Sequence, residues 1–236
     1  MRSTGYTFGF AAAVCIACSL VVSSAATLLR DKQAANVRLD IQKNILRSVG
    51  FDETIPEKIT ALYAARIEER VIDAGGNAVA DKKPADLDPK KDPGLLPLFV
   101  RKDGEKIEAY AFPVSGKGLW STIYGYMALE PDCVTVKGVT FYQHGETPGL
   151  GGEIEKSWFL DNFKNKRIVD DRGGLAPIIV AKGKASEAVP AGDQFHAVDG
   201  VSGATLTGKG VMKFLAADLK HYDGFFRQHR AKGRKQ

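Results

Sequence analysis

Asp199-Gly200-Val201-Ser202-Gly203-Ala204-Thr205-Leu206-Thr207 is the stretch on which the fold reading turns. Before it, residues 195–198 read as a strand. After it, residues 205–222 read as a helix with Val211, Phe214, Leu215 and Leu219 facing inward. A glycine-containing turn between strand and helix aims backbone N–H groups at whatever lies over the helix start, where the helix dipole favours negative charge. Two readings follow from the residue types. Ser202 can cap the helix through its hydroxyl, or the turn can hold a phosphate beside a threonine hydroxyl open to esterification. Local chemistry leaves both open.

Working back from that turn, the apolar period is two. Residues 96–100 and 107–114 predict a hairpin around Asp103-Gly104, and 121–129 with 134–142 predict a second pair joined across Pro131-Asp132. A short helix over 154–163 would place Ile154, Trp158, Phe159 and Phe163 on one side, and 176–181 reads as a buried strand. Strand pairs with interspersed helices and no regular βαβ alternation predict an α+β domain with a mixed or antiparallel sheet and flanking helices.

Towards the N-terminus the pattern becomes helical. Residues 8–29 carry no charge, and as a helix they would rise about 33 Å, enough to cross a bilayer. The Ser23-Ser24-Ala25-Ala26 segment resembles a leader-peptidase site. However, the run exceeds a usual leader core and helical periodicity continues past it, which favours a retained anchor. Residues 36–50 predict an amphipathic helix ending at Gly50, and 55–74 predict another, with Pro56 in its first turn. The proline-broken, charge-balanced stretch 77–97 reads as a linker. The expected organisation is therefore a short N-terminus (1–7), a transmembrane helix (8–29), a helical neck and linker (30–95), a folded domain (96–226) and a basic tail (227–236).

The formal charge of +5 equals the contribution of Arg227, Arg230, Lys232, Arg234 and Lys235, so the rest of the chain is balanced. No basic stripe with interleaved aromatics suggests nucleic-acid binding. Cys15 and Cys18 lie in the apolar run and Cys133 stands alone, which gives neither a disulfide framework nor zinc spacing. His144 and Glu146 have no companions at ligand spacing, so no metal site is expected. Ser121 and Ser202 lack a nucleophile elbow, and the 199–207 turn lacks the P-loop lysine. What remains is a set of three glycine-rich turns at strand ends, Gly116-Lys117-Gly118, residues 144–152 and residues 199–207.

Asp199-Gly200-Val201-Ser202-Gly203-Ala204-Thr205 resembles the Asp-x-x-Ser/Thr-Gly-Ala-Thr flavinylation motif of the FMN-binding domain family. Gly116-Lys117-Gly118-Leu119-Trp120 and His144-Gly145-Glu146-Thr147-Pro148-Gly149-Leu150-Gly151-Gly152 extend the likeness to the family of C subunits of Na⁺-translocating NADH:quinone oxidoreductases. The resemblance implies one FMN joined to Thr205 by a phosphoester, installed by a separate flavin transferase. It implies an electron carrier in a membrane complex that oxidises NADH, reduces ubiquinone and pumps Na⁺. The other subunits would be its partners and the bacterial inner membrane its location, with a single pass and a periplasmic domain. Ser202, Gly203 and Ala204 would line the attachment turn, and Glu146, Thr147, Leu150 and Gly151 would contact the flavin or its ribityl chain. The G-type subunits of the related Rnf electron-transport complexes share the anchor, motif and topology. A membrane-anchored flavin module without electron transfer is the alternative of another class.

Overall fold

The computed structural model describes residues 3–88 and 90–233, with side chains described through residue 230. Met1, Arg2 and Pro89 therefore lie outside the described residues, as do residues 234–236 of the expected tail. The first 41 residues and residues 42–236 form two compact units. The first unit is part of a continuous helix, α1 (Thr4–Ser48), long and apolar enough to cross a membrane. The helical pattern continues past the apolar run as expected, since no proline or glycine falls between residues 30 and 36 to end it.

The second unit is α+β, as its alternating pattern predicts. A six-stranded antiparallel sheet runs in the order β2-β1-β3-β4-β5-β6, built from β1 (Ile67–Ile72), β2 (Ala78–Val79), β3 (Leu96–Asp103), β4 (Lys106–Lys117), β5 (Thr122–Leu129) and β6 (Val136–Gln143). Gly104 has φ +61°, which lets the β3–β4 hairpin turn where the Asp-Gly pair predicts it. Alternation sends Phe112, Val114, Ile123, Met127 and Phe141 to one face, beneath the long helix α5 (Thr205–Gly233). There Phe112 packs against Tyr222 and Phe226, with ring centroids 4.6 and 5.4 Å apart. The other face holds Ala109, Ala111 and Tyr126; α2 (Pro56–Arg66) lies against β1 and β3, and the Thr140 hydroxyl meets the Asn44 carbonyl near the end of α1 at 3.5 Å. On that face Gly138 lets the Ser48 carbonyl come within 2.5 Å of where a Cβ would stand.

Several expectations are corrected. The helix from residue 55 stops at Arg66, and 67–72 become β1. Ile67, Val71 and Ile72 are β-branched, and six register pairs with β3 bury them, which outweighs the helical pattern of the segment. Residues 77–97 are then an excursion between strands of the sheet, β2 (78–79) and the start of β3 (96–97) among them. The helix over 154–163 divides into a 3₁₀ turn (Gly151–Glu155) and α3 (Ser157–Asp161), and Trp158 lies exposed while Ile154, Phe159 and Phe163 are buried. The 176–181 and 195–198 strands shorten to β7 (Ile179–Val180) and β8 (Ala197–Val198), a parallel pair separated by α4 (Ala185–Ala188). Residues 227–233 continue α5, so most of the tail is helical. Arg227 and Arg230 both bind Asp223, at 2.6 and 2.8 Å.

Asp218 on α5 accepts the Ser115 N–H at 2.8 Å. Burial raises its carboxyl to about 6 from an ordinary 3.8, against the pull of that bond and of His221, 3.9 Å away. The folded state then holds this proton more tightly, so stability falls as pH rises from 3.8 towards 6. Asp218→Asn keeps an acceptor without the buried charge. It is expected to stabilise the protein by about 1–2 kcal/mol near neutral pH, allowing for solvent screening, with little gain in acid. Thermal melting across pH checks this; an equal gain at every pH would exclude the titration of Asp218 as the cause.

Candidate functional site

Strand ends bring the three glycine-rich turns together. Where β4 gives way to β5, Gly118 N–H bonds to Ser121 C=O at 2.8 Å. Beyond β6, the Gly145 N–H reaches Ser121 Oγ at 2.5 Å and ties the second turn to the first. Gly149, at φ +73°, turns the chain back so that the Gly152 N–H meets Thr147 C=O at 2.9 Å. The third turn is braced from behind, with Asp199 Oδ1 accepting the Ala185 N–H at 2.7 Å and the Gly200 N–H bonding to Gly183 C=O at 2.8 Å. A Cβ on Gly200 would run into the Ala181 carbonyl, so glycine is required for this approach.

Glu146 is the knot. It is buried, and its Oε1 accepts the N–H groups of Trp120 and Ser121 at 2.9 and 3.2 Å. Its Oε2 accepts the Leu119 N–H at 3.2 Å and the Thr207 hydroxyl at 2.6 Å. Burial pulls this carboxyl upward, but the Thr207 hydroxyl and the three N–H donors outweigh it and hold the group below its ordinary range. One side chain thus joins all three turns. Two glycines leave room for it: a Cβ on Gly118 would lie 2.6 Å from Glu146 Oε1, and one on Gly151 would lie 2.6 Å from Thr207 Oγ1.

Above the knot is the start of α5. Ala204 N–H bonds to Val201 C=O and Gly208 N–H to Ala204 C=O, at 3.1 and 2.9 Å. Thr205, Leu206 and Thr207, as the first residues of the helix, have N–H groups without an intrahelical partner. Thr205 is exposed beside them. Gly203, at φ +73°, comes close enough that a Cβ would lie 2.8 Å from Leu150 Cδ2, so the second and third turns touch here. Leu119, Trp120, Leu150 and Leu206 are all exposed apolar side chains on these turns, Trp120 to 70%.

Of the residues singled out from sequence, Ser202, Gly203, Thr205, Thr147 and Leu150 lie on the exposed side, while Ala204, Glu146 and Gly151 are buried. Ser202 makes none of the helix-capping bonds found among the described residues. Sequence reasoning missed Thr207 as a partner of Glu146, and also the Leu119–Ser121 amides. A hydroxyl two residues beyond Thr205 on the inward face was the available signal for Thr207; backbone donors leave none.

The exposed hydroxyl, the bare helix N–H groups and the apolar rim fit a flavin phosphate. The Glu146 carboxylate beneath them stays ionised, with its oxygens turned to four donors of its own.

Residues 118–220 match the FMN-binding domain family. The C subunit of the Na⁺-translocating NADH-quinone reductase of Yersinia pestis is 38% identical over 234 residues, covering 89% of this chain and 86% of that protein. The counterpart from Vibrio anguillarum is 40% identical over 223 residues, 84% of each. The crystal structure of the corresponding protein from Parabacteroides distasonis superposes with a TM-score of 0.74 at 32% identity, over 84% of this chain and 96% of that one.

Proposed function

This chain belongs to the family of C subunits of Na⁺-translocating NADH-quinone reductases, and on that premise we propose that it is the FMN-bearing, electron-carrying member of such a complex. The observation that carries this reading is the exposed Thr205 hydroxyl at the start of α5, where unpaired N–H groups meet the apolar rim of two further turns. In this reading Thr205 Oγ forms a phosphoester with FMN, made by a separate flavin transferase. The first-turn N–H groups and the helix dipole hold the phosphate. Ser202, Gly203 and Ala204 shape the attachment turn, with Gly203 giving close backbone approach. Thr147 and Leu150 contact the flavin from the second turn. Glu146 and Gly151, which are buried, support that turn from below.

Bound FMN supplies redox chemistry that no side chain here offers. The protein's part is to hold it. A covalent tether keeps the flavin in place without tight noncovalent affinity, and the leucine and tryptophan rim excludes water from one side. In the wider proposal the complex passes electrons from NADH to ubiquinone and exports Na⁺, with the other subunits as partners. Residues 8–29 cross the bacterial inner membrane once and leave the domain in the periplasm.

The test is denaturing electrophoresis and intact mass of the full chain made with a flavin transferase. The wild-type band is expected to fluoresce and to carry the mass of one esterified FMN, and Thr205→Ala to lose both. Covalent flavin that persists in Thr205→Ala and disappears in Thr207→Ala would move the ester to Thr207.

A further inference from the structure

We propose that His144 is a positioning residue for the flavin site, its imidazole serving as the acceptor that sets Glu146 into its ring of donors. The inference rests on the flavin reading above but concerns a residue with no part in it. At the end of β6 the chain has to reverse, and the Glu146 N–H closes on His144 Nδ1 at 3.3 Å. An Nδ1 that receives an N–H must carry a lone pair, so the ring proton sits on Nε2. The side chain is only 9% exposed, and Nε2 is buried without a hydrogen bond. Glu155 Oε2 lies 3.5 Å from it, the far limit for such a bond, and Glu155 is held by Lys156 Nζ at 2.9 Å.

A ring kept for packing alone would neither direct a lone pair at this N–H nor leave a buried N–H unpartnered, since an unmatched polar group is costly. The arrangement makes sense if the Nδ1 bond is what is being kept. That N–H belongs to the residue whose carboxylate joins the three turns, so freeing it loosens the knot under Thr205. The charged groups around the ring are Glu155, its partner Lys156, and Glu146 itself.

The experiment uses the full chain made with the flavin transferase. His144→Asn returns an oxygen close to the Nδ1 position, whereas His144→Leu fills the space without an acceptor. Amide hydrogen exchange over 144–152 and the ratio of oxidised to reduced flavin at a fixed potential are read at neutral pH. The Leu variant is expected to exchange about tenfold faster and to shift the flavin ratio by about threefold or more, as loss of one buried hydrogen bond implies. Asn is expected to restore both. Wild-type exchange and flavin ratio in the Leu variant would overturn the proposal, as would an Asn variant as disturbed as Leu. Where the Leu variant does not fold, His144→Ala takes its place: protection lost in Ala and retained in Asn supports the role, and any other result overturns it. Exchange in chain made without the transferase is independent of where flavin attaches, so failure of the Thr205 assignment shows separately, in the Thr205→Ala band.

Discussion

Glu146→Ala is expected to lower stability by about 3–5 kcal/mol and to cut covalent flavin yield by roughly tenfold or more. The substitution removes one acceptor group and strands four donors: the N–H groups of Leu119, Trp120 and Ser121 and the Thr207 hydroxyl. Each stranded buried donor costs about 1–3 kcal/mol. The sum is not reached, because the turns can relax and admit water. Glu146→Gln should fall between, since its oxygen satisfies one side of the knot while its NH₂ opposes the donors on the other. The pH sign follows from the lowered carboxyl. Its stabilisation is complete above the ordinary value of 4.5 and is lost as pH falls through the lower folded value. The deficit of Glu146→Ala against wild type should therefore be full at neutral pH and shrink in acid. Denaturant melts at both ends, with flavin yield from gel fluorescence, check this. A neutral-pH deficit below roughly 0.5 kcal/mol, the scale of ordinary surface substitutions, would mean the knot is not what joins the turns.

The core sheet was legible because alternation is a local property. Phe112, Val114, Ile123 and Met127 announce their face residue by residue, and Asp103-Gly104 marks its own turn. β1 was not legible, since Ile67, Val71 and Ile72 fit a helix as well as a strand until β3 is present to pair with them. The same limit applies to the site. Glycine spacing and the Ser-Gly-Ala-Thr run located the three turns, and their convergence at one sheet end could be anticipated. That Glu146 points inward could not, because its partners are backbone amides 25 to 27 residues away and a hydroxyl 61 residues away. The role of His144 was hidden for a related reason. In sequence it only lacks companions at ligand spacing, whereas in space its Nδ1 takes the neighbouring N–H.

Gly210→Ala carries the second large effect, and its sign runs against helix propensity. Gly210 lies within α5, where alanine is intrinsically better than glycine by about 1 kcal/mol. A Cβ there would stand 2.5 Å from the Lys117 carbonyl oxygen and 3.0 Å from Gly118 Cα. Both are backbone atoms, so neither can swing aside as a side-chain end would. Gly208 makes the contrast within the same helix, its nearest neighbour being Val180 Cγ1 at 3.1 Å. Overpacking against fixed backbone costs about 1–3 kcal/mol or more, which outweighs the propensity gain, and Gly210→Ala is expected to destabilise by about 1–2 kcal/mol net. Gly208→Ala should be near neutral. The displacement also has a direction: pushing α5 away from Lys117 and Gly118 separates Thr207 from the Leu119–Ser121 amides, the two sides that Glu146 bridges. Flavin yield should therefore fall in Gly210→Ala more steeply than a surface change of equal stability cost would bring about. A Gly210→Ala protein that melts above wild type would show that the helix shifts freely, and that its close approach to the end of β4 is not needed to build the site.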